Sequence, residues 1–168
     1  MGVFLFLGIQ EIAYSQGKDE MFTIYLARHA EKATVAEDLT DPPLSACGQQ
    51  RAEVLAIILK DVKLEHVYST PYLRTRDTAL PAALAHGLEV EAYDPENLAA
   101  FSEALLEKRR SALVIGHSDT TAVLAGLISG QGGEEFDEDE YDRLYLVTVS
   151  GDQSQVILLD QAFRCVGQ

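Results

Sequence analysis

The chain has 168 residues, enough for one domain with a real core. At 47% hydrophobic and 24% charged it has the make-up of a globular protein, neither disordered nor membrane-spanning. Its 27 acidic and 13 basic residues give a formal charge of −14, which argues against nucleic acid and anionic lipid as partners, since both call for a basic footprint.

Residues 1–20 stand apart. The apolar run "MGVFLFLGI" precedes "AYSQ", where Ala13 and Ser15 suit a signal-peptidase site before Gln16. No Lys or Arg precedes the run, so the alternative is an N-terminal arm. Export to an extracytoplasmic compartment is the favoured reading of the two, and cytoplasmic residence the other.

From residue 21 onward one domain is expected, to residue 168. "MFTIYLA" (Met21 to Ala27) reads as a buried strand from its β-branched and aromatic content. Ser45 is the expected N-cap of a helix running through Lys60, with Ala52, Leu55, Ala56 and Leu59 on its inner face. "HVYST" (His66 to Thr70) is a second strand, followed by a helix in which Pro81 predicts a kink or restart. "LEVEAYD" (Leu88 to Asp94) alternates as a strand, and the next helix begins near Pro95, with Leu98, Phe101 and Leu105 inward. "SALVIGH" (Ser111 to His117), apolar on both faces, is the central strand. A helix over "TTAVLAGLI" follows. The last two strands, Arg143 to Val149 and Gln155 to Asp160, pair across a turn that pivots at Gly151. The acidic run at residues 134–142 reads as a solvated loop. Cys47 and Cys165 are too few for a disulfide framework and read as small, partly buried hydrophobes.

Strands alternating with helices predict an α/β fold: a three-layer αβα sandwich around a mostly parallel sheet, with an antiparallel C-terminal pair. Ligands in such sheets bind beyond the carboxyl ends of the strands. Arg28 and His29 follow the first strand, Ser69 to Arg74 the second, and His117 the central one. Two guanidiniums and two imidazoles should therefore meet at one edge. Arginine's planar fork suits phosphate oxygens, and histidine can be a nucleophile or a proton donor. Phosphoryl transfer needs both. Helix starts after Thr70 and Ser118 would add backbone N–H groups, and Ser69 is a further hydroxyl donor to phosphate. Arg51 and Arg76 read as surface residues on helices, Glu31 as either an orienting group or a solvated one, and His66 and His86 as peripheral.

Four segments in order resemble the histidine phosphatase superfamily, the phosphoglycerate mutase-like proteins. "ARHAEK" resembles its Arg-His-Gly motif, and "DPPLSACGQQRA" its P-L-[ST]-x-x-G segment. "YSTPYLRTRDTA" resembles S-x-x-x-x-R-x-x-x-T, and "VIGHSDT" the strand ending in Gly-His. The resemblance implies a phosphatase that uses neither metal nor cofactor and hydrolyses a small phosphomonoester or a phosphohistidine. In it His29 carries the phosphoryl group covalently while Arg28, Arg74 and His117 hold it. A phosphoglycerate mutase-like transferase or a non-catalytic phosphate-binding module are the other readings. His29 must be neutral on one nitrogen to attack, so protonation should limit the rate on the acid side. Two departures stand out. Ala30 replaces the family glycine, at the cost of one methyl. The segment in which many members carry the leaving-group acid is short here, leaving Asp119, Glu96 or Asp94 as candidates, with capping of the following helix as the other role for Asp119. The expected partners are a small phosphorylated substrate or a phosphohistidine protein.

Overall fold

The structure is a computed structural model that describes residues 20–134 and 136–165. The N-terminal leader and its cleavage position lie outside the described residues. Among the described residues, no helix is long and apolar enough to cross a membrane.

Ten elements follow in chain order: β1 (Phe22–Arg28), α1 (Ala46–Leu59), β2 (His66–Ser69), α2 (Leu73–His86), β3 (Val90–Ala92), α3 (Leu98–Lys108), β4 (Ala112–Gly116), α4 (Ser118–Ser129), β5 (Arg143–Ser150) and β6 (Gln153–Asp160). The strands form one six-stranded sheet in the order β3-β2-β4-β1-β5-β6. β1 to β4 are parallel, whereas β5 runs antiparallel to both β1 and β6. Leu55, Leu59, Ala79 and Ala82 of α1 and α2 pack with Val67, Leu113 and Ile115 on one face. Leu105, Leu124 and Ile128 of α3 and α4 pack with Ile24, Leu26, Val114 and Val147 on the other. The sheet is thus covered on both faces where it is parallel. Accordingly all five residues of β4 are buried, as continuous apolar runs in such sheets require.

Local chemistry explains the boundaries. Ser45, in extended conformation, accepts a hydrogen bond from Gly48 N (3.1 Å) and starts α1. The four α1 residues expected to face inward are all buried. The β5–β6 turn places Gly151 at φ 58°, in the left-handed region that glycine enters without cost. Three expectations need correction. α2 does not restart at Pro81: it continues to His86, because α1 packs against α2 and only one helical bond, to the Asp77 carbonyl, is forfeited. The third strand shrinks to Val90–Ala92, since its pairing ends where β2 ends. α3 starts at Leu98 rather than near Pro95, after a turn in which Asp94 Oδ1 accepts from Glu96 N at 3.0 Å.

Register delivers the site. Arg28 of β1 lies opposite Gly116 of β4, and Ser69 of β2 lies opposite Ile115. The bond His29 N to Gly116 O (2.9 Å) extends the ladder one step further. Three strands therefore end level with one another, and their next residues emerge at one edge.

Candidate active site

A cavity of about 460 Å³ opens at that edge. Arg28, His29, Arg74 and His117 all line it, together with Asp119 and Glu96. The four residues expected to gather around a phosphoryl group are thus brought together from three segments. The His29 and His117 rings are 5.5 Å apart, edge to face.

His29 is 4% exposed. Its Nδ1 lies 2.8 Å from the carbonyl oxygen of Ala30. A carbonyl can only accept, so Nδ1 carries the proton and Nε2 keeps its lone pair. Burial pushes the imidazole pKa down to about 3, opposed by the Ala30 hydrogen bond and reinforced by Arg28, His117 and Arg74. The ring is therefore neutral and nucleophilic at Nε2 far into the acid range. Burial first, then Arg74, also lowers the pKa of His117, while Asp119 opposes the shift.

The loop bearing His29 is built rigidly. Ala30 N donates to Thr78 Oγ1 (2.9 Å), whose hydroxyl donates to the Arg74 carbonyl (2.7 Å). The Ala30 methyl is fully buried with Leu44 and Ala52, so the residue in the family's glycine position finds apolar partners. Ser45 N donates to Glu31 O (2.9 Å), and α1 presses so close at Gly48 that a β-carbon there would collide with the Glu31 backbone. Glu31 and Arg51 are both buried, and Arg51 Nη2 meets Glu31 Oε1 at 2.6 Å while Nε reaches both carboxylate oxygens at 3.0 and 2.9 Å. Arg51 is therefore not a surface residue: it is the counter-ion of a carboxylate two positions from His29. Cys47 and Cys165 form a disulfide beside this pair, with Cα atoms 5.7 Å apart across 118 residues of sequence. Each sulfur also lies 3.4 Å from Glu31 Oε1. They are half-buried, as expected, but bonded to each other: folding brings the C-terminal tail onto α1, which two isolated cysteines in a sequence do not announce.

The arginines carry donors to spare. Arg28 Nε and Arg74 Nε are buried without a hydrogen-bond partner among the described residues, an arrangement that phosphate oxygens would relieve. Arg74 sits 4.5 Å over the Tyr72 ring and 3.5 Å from Asp41. The acidic run is not simply solvated over its described residues 136–142. Arg28 Nη1 donates to the carbonyls of Asp137 (2.9 Å), Glu138 (2.9 Å) and Glu140 (3.1 Å), and Nη2 meets Glu138 Oε2 at 3.2 Å. Buried Phe136 stacks on Tyr145 and anchors this loop, worth about 1.5–3 kcal/mol.

Other expectations fare differently. Ser69 is brought to the strand end but not to the cavity: it is 1% exposed and its hydroxyl donates to the Thr70 carbonyl at 2.9 Å. The first N–H of α2 is already taken by the Asp41 carboxylate (2.9 Å). His117 is the N-cap of α4 and its N–H donates to Thr120 Oγ1 at 2.9 Å, so Asp119, inside the first turn, does not serve as the cap. Asp119 is exposed on the cavity wall, as is Glu96, whereas Asp94 is engaged in its own turn. His66 and His86 are bound elsewhere, to Glu91 and to the Leu59 carbonyl. Sequence reading passed over Thr70, whose Oγ1 lies 3.0 Å from His117 Nε2. It also passed over Tyr72, Lys32, Ser118 and Glu138 on the cavity wall. Thr70 sits in the strand-end segment already singled out, so proximity to the motif arginine was a usable signal; Glu138 had none.

Comparison with known proteins agrees with this geometry. Residues 24–95 match the family model described as Histidine phosphatase superfamily (branch 1). A curated relative from Escherichia coli O139:H28, "Probable phosphoglycerate mutase GpmB", is 36% identical over 93 residues, 53% of this chain and 42% of the relative. The match thus spans less than half the length of that relative. Among solved structures, the protein histidine phosphatase SixA complexed with tungstate superposes with a TM-score of 0.69 at 21% identity, covering 83% of this chain and 97% of that one. A mycobacterial glucosyl-3-phosphoglycerate phosphatase gives a TM-score of 0.64 at 13% identity, covering 85% and 100%. At these identities the structural likeness speaks for the fold, and the sequence match speaks for the motifs. Residues 24–95 thus resemble the histidine phosphatase superfamily (branch 1) in sequence, and the chain shares the fold of these solved structures, with three of its four motif segments ending at one cavity.

Proposed function

We propose that the protein is a metal-independent phosphatase that hydrolyses a small phosphomonoester or a phosphohistidine through a phosphohistidine on His29. One observation carries the reading: a buried, neutral imidazole whose Nδ1 proton is committed to Ala30 O lines a cavity flanked by Arg28, Arg74 and His117, which leaves Nε2 as the nitrogen with a free lone pair. In this scheme Nε2 attacks phosphorus, and the bond to the leaving oxygen or nitrogen breaks. The two guanidiniums receive the charge on the equatorial oxygens. Asp119 or Glu96, both on the wall, would protonate the leaving group. Water then attacks the phosphorus, restores Nε2 and releases phosphate. Only interactions that tighten as the phosphoryl group transfers lower the barrier, which suits donors that have no other partner.

The test is hydrolysis of p-nitrophenyl phosphate in EDTA by the wild type and His29→Ala. Turnover that disappears in the variant supports the proposal. Phosphate-induced thermal protection without turnover would favour a binding module. The relative's name makes a phosphoglycerate mutase the second reading, and interconversion of phosphoglycerates faster than hydrolysis would favour it. The Cys47–Cys165 bond lends support to the export reading, because disulfides persist in oxidising compartments. Recovery of the protein from the cytoplasm alone, with residues 1–15 intact, would count against that.

A further inference from the structure

We infer that the pocket selects phosphorylated compounds whose leaving group carries a positive charge. The inference rests on the phosphatase reading above and concerns the substrate class that the rim admits. The floor of the cavity is cationic, with Arg28 and Arg74 beside the two histidines. The rim is the opposite. Glu96 comes from the β3–α3 connection, Asp119 from the first turn of α4, and Glu138 from the acidic loop, and all three line the same opening. Lys32 is the one ammonium among the lining residues.

Glu138 is held in place rather than merely near. Its Oε2 meets Arg28 Nη2 at 3.2 Å, and its Oε1 accepts from Ser118 Oγ at 3.0 Å. The backbone behind it is fixed by the three carbonyls that accept from Arg28, and by Phe136 packed in the core. The carboxylate therefore sits at the join between the phosphoryl floor and the rim.

A bound phosphoryl dianion matches the two floor guanidiniums in charge. What the rest of the substrate then meets is Glu138 and whichever of Glu96 and Asp119 does not hold the proton for the leaving group, against one lysine. An anionic leaving group, such as a carboxylate near the phosphate, is repelled. An ammonium or imidazolium there is attracted, and the chain's net charge of −14 steers it toward the site from a distance. Each carboxylate faces partly solvated space, so each contributes a factor of roughly two to five. Cationic and anionic substrates should then differ by on the order of tenfold to a hundredfold in kcat/KM.

The experiment uses three aryl phosphates of near-equal leaving ability: 4-(aminomethyl)phenyl, 4-methylphenyl and 4-(carboxymethyl)phenyl phosphate. A methylene insulates each charge from the phenol oxygen, so differences report the rim. kcat/KM is measured at low and high salt in the wild type, Glu96→Gln and the double variant Glu96→Gln/Glu138→Gln. The expected order is cationic, neutral, anionic, with the spread compressed by salt and by each amide substitution. Rates within twofold of one another in the wild type, or a spread that the substitutions leave unchanged, would overturn the inference while leaving the phosphatase reading intact. If none of the three is turned over, the phosphatase reading falls. Their dissociation constants, read by calorimetry, then decide the rim: the same order supports it and equal affinities refute it.

Discussion

Lowering the pH should leave His29 uncharged long after an ordinary histidine has taken up its proton. An imidazole at the usual value of ~6.5 is ~97% protonated at pH 5. One held near the value of about 3 given by its burial and its cationic neighbours is ~99% neutral there. The neutral fraction at pH 5 thus differs about thirtyfold between the two cases. Side-chain 15N spectra of histidine-labelled protein test this directly, with the His29 signals assigned by their loss in His29→Asn. The expected spectrum keeps the Nδ1–H, bare-Nε2 pattern from pH 8 to pH 5. The linkage has a definite sign. The folded value lies below the unfolded one, so the unfolded chain binds the proton first. The contribution to stability is intact above ~6.5 and is lost as pH falls toward 3, on the order of 5 kcal/mol at the limit below both values. Urea melts should therefore show the wild type losing more stability than His29→Asn between pH 6.5 and pH 4. An inflection near pH 6.5 in the His29 signal would refute the reasoning, because it would mean that water reaches the ring.

Arg51→Met strands the buried Glu31 carboxylate and should cost about 3–5 kcal/mol in urea unfolding; a loss below 1 kcal/mol would place the pair in solvent. Reducing the Cys47–Cys165 bond removes a cross-link spanning 118 residues, worth about 4–5 kcal/mol in the chain-entropy model. Reductant should therefore lower the melting temperature of the wild type and leave Cys47→Ser/Cys165→Ser unmoved. Arg28→Lys gives up the guanidinium fork and its multiple acceptors, and kcat/KM should fall by at least about a hundredfold. Thr70→Val removes the partner of His117 Nε2; the expected loss is about tenfold in kcat with little change in KM, consistent with a positioning role for a hydrogen bond worth ~1 kcal/mol or more.

The fold was legible because its signals are local and periodic. Ala52, Leu55, Ala56 and Leu59 repeat at helical spacing, and "ALVIG" is apolar on both faces, so α1 and β4 could be read as a helix and a buried strand. The four motif residues were legible for a related reason: each stands at or just after the end of a strand or at a helix start, where topology alone carries it to the common edge. What stayed hidden depends on contacts between distant parts of the chain. Arg51 has the spacing of an inward position, but its charge reads as surface until Glu31 is seen beneath it. The acidic loop holds Arg28 through backbone carbonyls, which every residue possesses and no side-chain pattern advertises. Ser69 had the right residue type and place, yet its hydroxyl turned to a neighbouring carbonyl. Cys47 and Cys165 are brought together by the path of the C-terminal tail after β6, which carries no periodic signal.

The covalent step is the heart of the account, and rapid quenching of the enzyme in alkaline denaturant during turnover of an aryl phosphate reaches it directly. Intact and peptide mass spectrometry should find one phosphoryl group, stable to alkali and labile to acid, on the peptide that holds His29, and none in His29→Ala. A phosphoryl group on any other side chain, or full turnover by His29→Ala, would contradict it.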